Sequence, residues 1–233
     1  MSEKLELIID SDKKEKISFK VRKMINLGRT SRNPSDIMKH LEELKKAGIK
    51  VSPGIPSYNP KIRDRITTND NIEVLPNSKT SGEVEYVLLF TSDSDFYVTV
   101  GSDHTDRELE KENVVLSKQI CLNVISPEIW HYRDVKDHWD DLIMRAWIKK
   151  DGSRQLYQEG KLGEMLRPEE LIEKVRLRVS GDLTGAVVYS GTFPIIGGEL
   201  NFSTYFEMEL LDEKKGKSIQ HSYNAEPITW FRF

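Results

Sequence analysis

Glu83 and Glu85 stand two residues apart at the start of an apolar run, Glu83 to Phe90. On a strand, residues two apart project to the same face with backbone positions roughly 7 Å apart, so two glutamates can converge on one ion. Beside Val87 and Leu89 such a pair repels and is costly to desolvate unless a cation, a proton or a basic side chain compensates it. Taken alone, an E-x-E is more often an edge strand with solvated acids. The loop Gly101-Ser102-Asp103-His104-Thr105-Asp106-Arg107 follows the next strand and places Asp103 within reach as a third carboxylate. Three oxygen ligands with positions left for water describe a Mg²⁺ or Mn²⁺ site that also accepts substrate oxygens, with Ca²⁺ an alternative ion. His104 and Asp106 read as local turn hydrogen bonding.

A second candidate pair is His40 and Glu43, at i and i+3 on one side of an expected helix. A carboxylate there can orient an imidazole and raise its basicity, which is what a general base for water requires. Without other evidence the pair is a surface His beside a Glu on a helix dense with Lys and Glu. His131, His138 and His221 have no comparable setting and read as structural or solvated.

These side chains need a scaffold. Leu5 to Ile9 and Ile17 to Val21 flank a polar stretch and predict an amino-terminal hairpin. Asn33 can cap a helix with Pro34 in its first turn and Ile37, Leu41 and Leu44 at helical spacing up to Gly48. Pro53, Pro56, Pro60 and Pro76 mark an irregular stretch. Glu83 to Phe90 and Phe96 to Val100 predict two strands, Glu108 to Ser117 a helix, and Leu142 to Ile148 a strand closing on the Asp151-Gly152 turn. Pro168 to Val175 predicts a short helix, and Ala186 to Phe193, Tyr205 to Leu211 and Ser218 to Tyr223 predict strands. The pattern is that of a β-rich α+β domain.

Composition narrows the classes. With 233 residues, a net charge of -3 and 37% hydrophobic residues, the chain is ordinary globular material, expected to form one domain over 1–233 with 1–24 as a hairpin extension. Its 35 basic and 38 acidic residues give no broad basic surface for nucleic acid. No apolar run approaches the roughly 20 residues of a membrane helix, and the polar start lacks a signal-peptide core, so a cytoplasmic protein is expected. The lone Cys121 permits no internal disulfide and no Cys-rich zinc site, which leaves oxygen or imidazole ligands for any metal.

Taken in order, the residues resemble the fumarylacetoacetate hydrolase superfamily from about Ile25 onward. Gly28 followed by His40-Leu41-Glu42-Glu43 is similar to its Gly-x-Asn-Tyr and His-x-x-Glu elements, and Glu83-Val84-Glu85 to its E-x-E metal strand. Ser102 to Glu108 resembles its Asn-Asp-Val-Ser-Ala-Arg-Asp segment, and Ser117-Lys118-Gln119, with Pro127 downstream, its lysine element. Ile148 to Gly152, Arg154-Gln155 and Met165-Leu166 are similar to its Asn-Gly turn, Arg-Gln pair and helix start. Ser190-Gly191-Thr192-Phe193-Pro194, with Gly197-Gly198, resembles its Thr-Gly-Thr-Pro loop. Here Arg29 to Lys39 adds length before the His, no Asn-Tyr follows Gly28, and no Asn precedes Asp103.

The resemblance implies mixed β-sheets forming a roll or distorted barrel with short peripheral helices, and commonly a homodimer. It implies Glu83, Glu85 and Asp103 as metal ligands, His40 and Glu43 as a water-activating dyad, Lys118 as an active-site cation, and Arg107 and Thr192 as substrate contacts. The expected chemistry is hydrolysis or decarboxylation of a carbon-carbon bond next to the keto group of a small oxo-acid, through a metal-stabilised enolate. A hydratase or isomerase of an unsaturated or keto sugar acid could use the same cage, and a non-catalytic metal-dependent binding protein could retain it without turnover.

Overall fold

The computed structural model describes residues 4–11, 13–35, 37–38, 41–42 and 54–232. Its first strands, β1 (Lys4–Ile9) and β2 (Lys16–Lys20), form the expected hairpin, with Leu5 opposite Phe19 and Leu7 opposite Ile17. The hairpin is no free appendage, because β1 also pairs in parallel with β12 (Glu128–His131) and so widens the main sheet.

The other strands of that sheet are β3 (Lys23–Gly28), β4 (Ser57–Lys61), β5 (Ile66–Thr67), β8 (Val84–Phe90), β9 (Phe96–Ser102), β11 (Asn123–Ile125) and β15 (Ala186–Tyr189). Its main path runs β2-β1-β12-β9-β8-β15-β3-β4, with β11 joining β9 to β5. A second, five-stranded sheet has the order β14-β13-β16-β17-β6, built from β6 (Asn71–Val74), β13 (Ile143–Lys150), β14 (Ser153–Lys161), β16 (Tyr205–Asp212) and β17 (Lys217–Pro227). A small bridge joins β7 (Thr80–Ser81) to β10 (Thr105–Asp106). The β13–β14 hairpin closes on Asp151 and Gly152, both at positive φ (50° and 77°), the turn that Asp-Gly favours because its twist matches that of the strands.

The large sheet curls into a half-barrel, and β8 shows why its sequence is almost continuously apolar: every residue of the strand is buried, so both faces are covered. Val84, Tyr86, Leu88 and Phe90 belong to the larger core, with Met144, Met208 and Leu210 of the second sheet. Val87 and Leu89 face the inside of the curl with Leu5, Leu7, Met24, Ile125 and Tyr189. Full burial of each such aliphatic side chain contributes about 1.5–3 kcal/mol. Gly101 permits the tight junction of β8, β9 and β11, since a Cβ there would lie 2.8 Å from Val87 Cγ2 and 2.9 Å from Ile125 Cγ2.

The helix expected over Glu108 to Ser117 is instead two short ones, α1 (Arg107–Glu112) and α2 (Val114–Ile120). Asn113 breaks the run. Its extended backbone ends α1, while its side chain accepts from Leu116 N–H and caps α2, a bond that competes with helix continuation. The helix α3 (Tyr132–Val135) follows, and α4 (Pro168–Arg176) agrees with the expected short helix. The strand expected over Ala186 to Phe193 ends at Tyr189, leaving Ser190 to Phe193 as a loop. Asn33 accepts from Ser35 N–H at the start of the expected helix, whose Pro34, Ser35, Ile37, Met38, Leu41 and Glu42 are helical. His40 and Glu43 lie outside the described residues. Among the described residues, no helix is long and apolar enough to cross a membrane.

Candidate metal centre

Glu85 lies on β8 with the parity of Val87 and Leu89, so it points into the curl, and Glu83 precedes it with the same parity. β9 runs antiparallel beside β8 and delivers Asp103 just past its end, where the Asp103 amide donates to the Glu83 carbonyl at 3.0 Å. One carboxylate oxygen from each of Glu83, Glu85 and Asp103 lies within 4.8 Å of the other two. Asp103 and Glu85 are almost fully buried, whereas the Glu83 side chain keeps 21% of its exposure and forms the open side of the group.

The short helices supply the counter-charges. Arg107, at the start of α1, donates to Glu83 Oε1 at 3.1 Å, to Glu110 at 2.9 Å and through Nε to Ser81 at 2.7 Å. Lys118, in the last turn of α2, donates to Glu83 Oε2 at 3.2 Å and to Asp103 Oδ2. Asp106, two residues after His104, accepts from Glu108 and Leu109 N–H and caps α1, which is the local turn bonding expected of it. This cap and that of Asn113 set the directions from which the two cations reach Glu83.

These contacts divide the acids. Burial pushes both glutamates of the pair upward, but at Glu83 the Arg107 and Lys118 charges outweigh it and hold the pKa down to about 2. Among the described residues, Glu85 has no such pair. Burial first, and then the charges of Asp103 and Glu83, raise it well above the ordinary range, against Lys118 and the 2.7 Å bond it accepts from Gly191 N–H. Lys118 and Arg107 are both held protonated, their carboxylate partners overcoming burial.

On the inner flank Lys61, at the end of β4, faces Asp103 Oδ1 at 3.8 Å with neither side chain exposed, and donates to Asn123 Oδ1. Burial lowers its pKa to about 8. His104 is buried and bonds through Nδ1 to the Tyr223 hydroxyl of β17 at 2.8 Å, a group that Ser102 Oγ also meets at 2.8 Å. This corrects the turn-bonding expectation for His104, which spans the two sheets. Its pKa is held down to about 3, first by burial and then by Arg107 and Lys61. Thr192 caps the group from the 190–198 loop, its hydroxyl donating to the Val84 carbonyl at 2.6 Å and accepting from Gln158 at 2.8 Å.

His131, His138 and His221 sit elsewhere, bonded to Asp95, Asp212 and the Asn69 carbonyl respectively. Sequence reasoning passed over Lys61, Asn123 and Tyr223. Lys61 falls in the proline-punctuated stretch, and its one legible signal is alternation, with Asn59 and Lys61 buried between the positions of Tyr58 and Pro60. That is a strand whose inward side is polar, which a hydrophobicity pattern does not reveal.

The donor set fits a small divalent cation. It consists of oxygen only, and among the described residues it includes a buried carboxylate with no cation bonded to it in Glu85 and an Asp103 Oδ1 without a hydrogen-bond partner.

Residues 27–223 match a family model described as "Protein of unknown function (DUF2848)". Among solved structures the chain is similar to Cg1458 with inhibitor, at 20% identity and a TM-score of 0.69, covering 92% of this chain and 81% of that one. It is also similar to 2-keto-3-deoxy-D-arabinonate dehydratase complexed with magnesium and 2,5-dioxopentanoate, at 17% identity and a TM-score of 0.62 over 91% and 76% of the two chains. For 4-oxalocrotonate decarboxylase from Pseudomonas putida G7, complexed with magnesium and adipate, the values are 12%, 0.53, 88% and 77%. At these identities the likeness is one of fold, and the fold is that of the fumarylacetoacetate hydrolase superfamily. Compared with curated proteins, the sequence matches none.

Proposed function

The chain belongs to the DUF2848 family and has the fumarylacetoacetate hydrolase fold, and from that premise we propose that it is a divalent-metal-dependent enzyme acting on a small oxo-acid. The observation that carries the proposal is the convergence of Glu83, Glu85 and Asp103 within 4.8 Å, with Lys118 and Arg107 gripping the half-buried member, Glu83. The magnesium, keto-acid and carboxylate ligands named with the similar dehydratase and decarboxylase support it.

Glu83, Glu85 and Asp103 would hold Mg²⁺ or Mn²⁺, which supplies Lewis-acid polarisation of the oxo-acid's carboxylate and keto oxygens. Lys118, kept protonated by its carboxylate neighbours, serves as a fixed positive charge for the anion that develops when the bond next to the keto group breaks. It cannot act as a base while so held. Arg107 orients Glu83 and borders the open side, where we assign it to the substrate carboxylate. The Thr192 hydroxyl is engaged by Val84 and Gln158, so this residue contributes through the loop backbone, whose Gly191 amide already points at Glu85. Hydrolysis further requires a base for water, the role assigned to His40 oriented by Glu43. Decarboxylation requires only protonation of the enolate. The proposal includes a homodimer, as the family resemblance implies, in the cytoplasm, as expected from composition.

The test is a Mg²⁺- and Mn²⁺-supplemented screen of acylpyruvates, oxaloacetate and sugar-derived oxo-acids, with products identified by mass spectrometry. Metal-dependent carbon-carbon cleavage supports the proposal, loss or gain of water selects a hydratase, and metal-dependent binding without turnover across the panel refutes an enzyme. In the active case, His40→Gln should abolish hydrolysis while keeping metal affinity. Full activity in that variant would mean that a group other than His40 activates water.

A further inference from the structure

Asp103 is flanked on both oxygens by lysines that arrive on different elements of the fold. Lys118 takes Oδ2 from the helical side, and Lys61 faces Oδ1 from β4 at 3.8 Å. The two lysines differ in how they are held. Lys118 shares its ammonium with Glu83 beside the open side of the group. Lys61 is enclosed, with no exposed side-chain surface, and its ammonium is fixed by Asn123 Oδ1.

Asn123 is itself fixed. It is fully buried at the start of β11, and its amide nitrogen donates to Asn26 Oδ1 of β3 at 3.3 Å. Three strands, β3, β4 and β11, therefore each contribute one buried polar residue to a chain of contacts that ends at Asp103. Burying such groups is costly unless their positions matter, because desolvating an ammonium and two amides gains nothing in packing. The Asn26 amide nitrogen, without a partner among the described residues, shows that the cost is not fully recovered by hydrogen bonds within the chain.

We propose that Lys61 is a positioning residue of the carboxylate group, anchored by Asn123 and Asn26, whose ammonium competes with a divalent cation for Asp103 and so limits how tightly the group takes metal. The inference rests on the reading of Glu83, Glu85 and Asp103 as the metal ligands. Physically, a fixed positive charge beside a ligand carboxylate repels the incoming cation. It also keeps Asp103 from turning Oδ1 away from the orientation in which Oδ2 accepts from Lys118. An enclosed charge is screened far less by salt than an exposed one, so its effect persists at physiological ionic strength.

The experiment is calorimetric titration of the metal-stripped full chain with Mn²⁺ and with Mg²⁺ near pH 7, on wild type, Lys61→Met, Lys61→Arg, Asn123→Ala and Asp103→Asn, with thermal melts to establish folding. Lys61→Met should bind Mn²⁺ about tenfold more tightly than wild type, because the opposing charge is gone while the chain length is kept. Lys61→Arg, which retains the charge, should stay within about threefold of wild type. Asn123→Ala, which frees the ammonium from its anchor, should tighten binding by about threefold. Affinity in Lys61→Met equal to or weaker than wild type overturns the proposal, as does a Lys61→Arg variant that behaves like Lys61→Met. If Lys61→Met does not fold, unchanged affinity in Asn123→Ala overturns it. Wild-type protein that binds neither ion, or Asp103→Asn with unaltered affinity, instead removes the ligand assignment, and the role of Lys61 falls with it.

Discussion

Replacing Glu85 by Gln should stabilise the metal-free protein and destabilise the metal-loaded one relative to wild type. The carboxylates of the group lie within 4.8 Å of one another, and at an effective dielectric of about 20 each like-charged pair at that separation repels by about 3.5 kcal/mol. Lys118 offsets part of this at Glu85, and Gln keeps an acceptor for the Gly191 amide while offering a donor to the neighbouring acids. A net gain of about 1–2 kcal/mol follows, which for a chain of this size raises Tm by about 2–8 °C in EDTA. With metal at about 100 times its Kd, wild type gains about 2.7 kcal/mol and the variant, one ligand short, much less, so the order of the melting curves should invert. The pH dependence has a definite sign. A carboxyl whose folded pKa is raised favours the folded state while protonated, so wild type loses stability as pH climbs above the unfolded value near 4.5. The advantage of the variant in EDTA should therefore be absent at pH 4 and grow upward from there. Differential scanning calorimetry across that range, with and without Mg²⁺, measures all three effects. A wild-type protein more stable than the variant in EDTA at neutral pH, with parallel shifts on adding metal, would refute the charge argument.

Three further outcomes are expected. Lys118→Met should lower kcat at least tenfold with a smaller change in KM, because a charge aimed at a developing anion acts mainly in the transition state; steady-state kinetics on the active substrate decides this. Tyr223→Phe removes the hydroxyl that meets both Ser102 and the buried His104, and should cost about 1–3 kcal/mol in urea unfolding; an unchanged midpoint would mean that the two groups find other partners. Gly191→Ala forces a residue into φ +88° with its Cβ 2.7 Å from Thr30 Oγ1, so it should lose about 1–3 kcal/mol and weaken Mn²⁺ binding through the displaced amide on Glu85, measured by melting and calorimetry.

What the sequence disclosed follows the range of its signals. The E-x-E parity, the Asp-Gly hairpin and the proline-led helix are written in neighbouring residues, and the structure has all three. The break at Asn113 escaped because a capping side chain and a helical surface position look alike until the backbone turns. His104 was assigned to its own turn because Tyr223, its partner, lies 119 residues away on the other sheet. Lys61 escaped for a related reason, since its partners Asn123 and Asp103 become neighbours only when β4 folds against β11 and β9. Family resemblance supplied the roles of Lys118, Arg107 and Thr192, which spacing alone did not.

Nearly all of the charge of the candidate site comes from one continuous stretch, Ser81 to Lys118: the β8–β9 hairpin with its acids, then two caps and two cations on short helices. The loop that reaches the same group from residues 190–198 is written more than seventy positions later. The ionic core and the loop that closes on it are thus encoded in separate passages of the chain. A laboratory recombination that exchanged the later passage between homologues would leave the Ser81 to Lys118 cassette whole, giving a route by which one ionic core could be paired with many different loops.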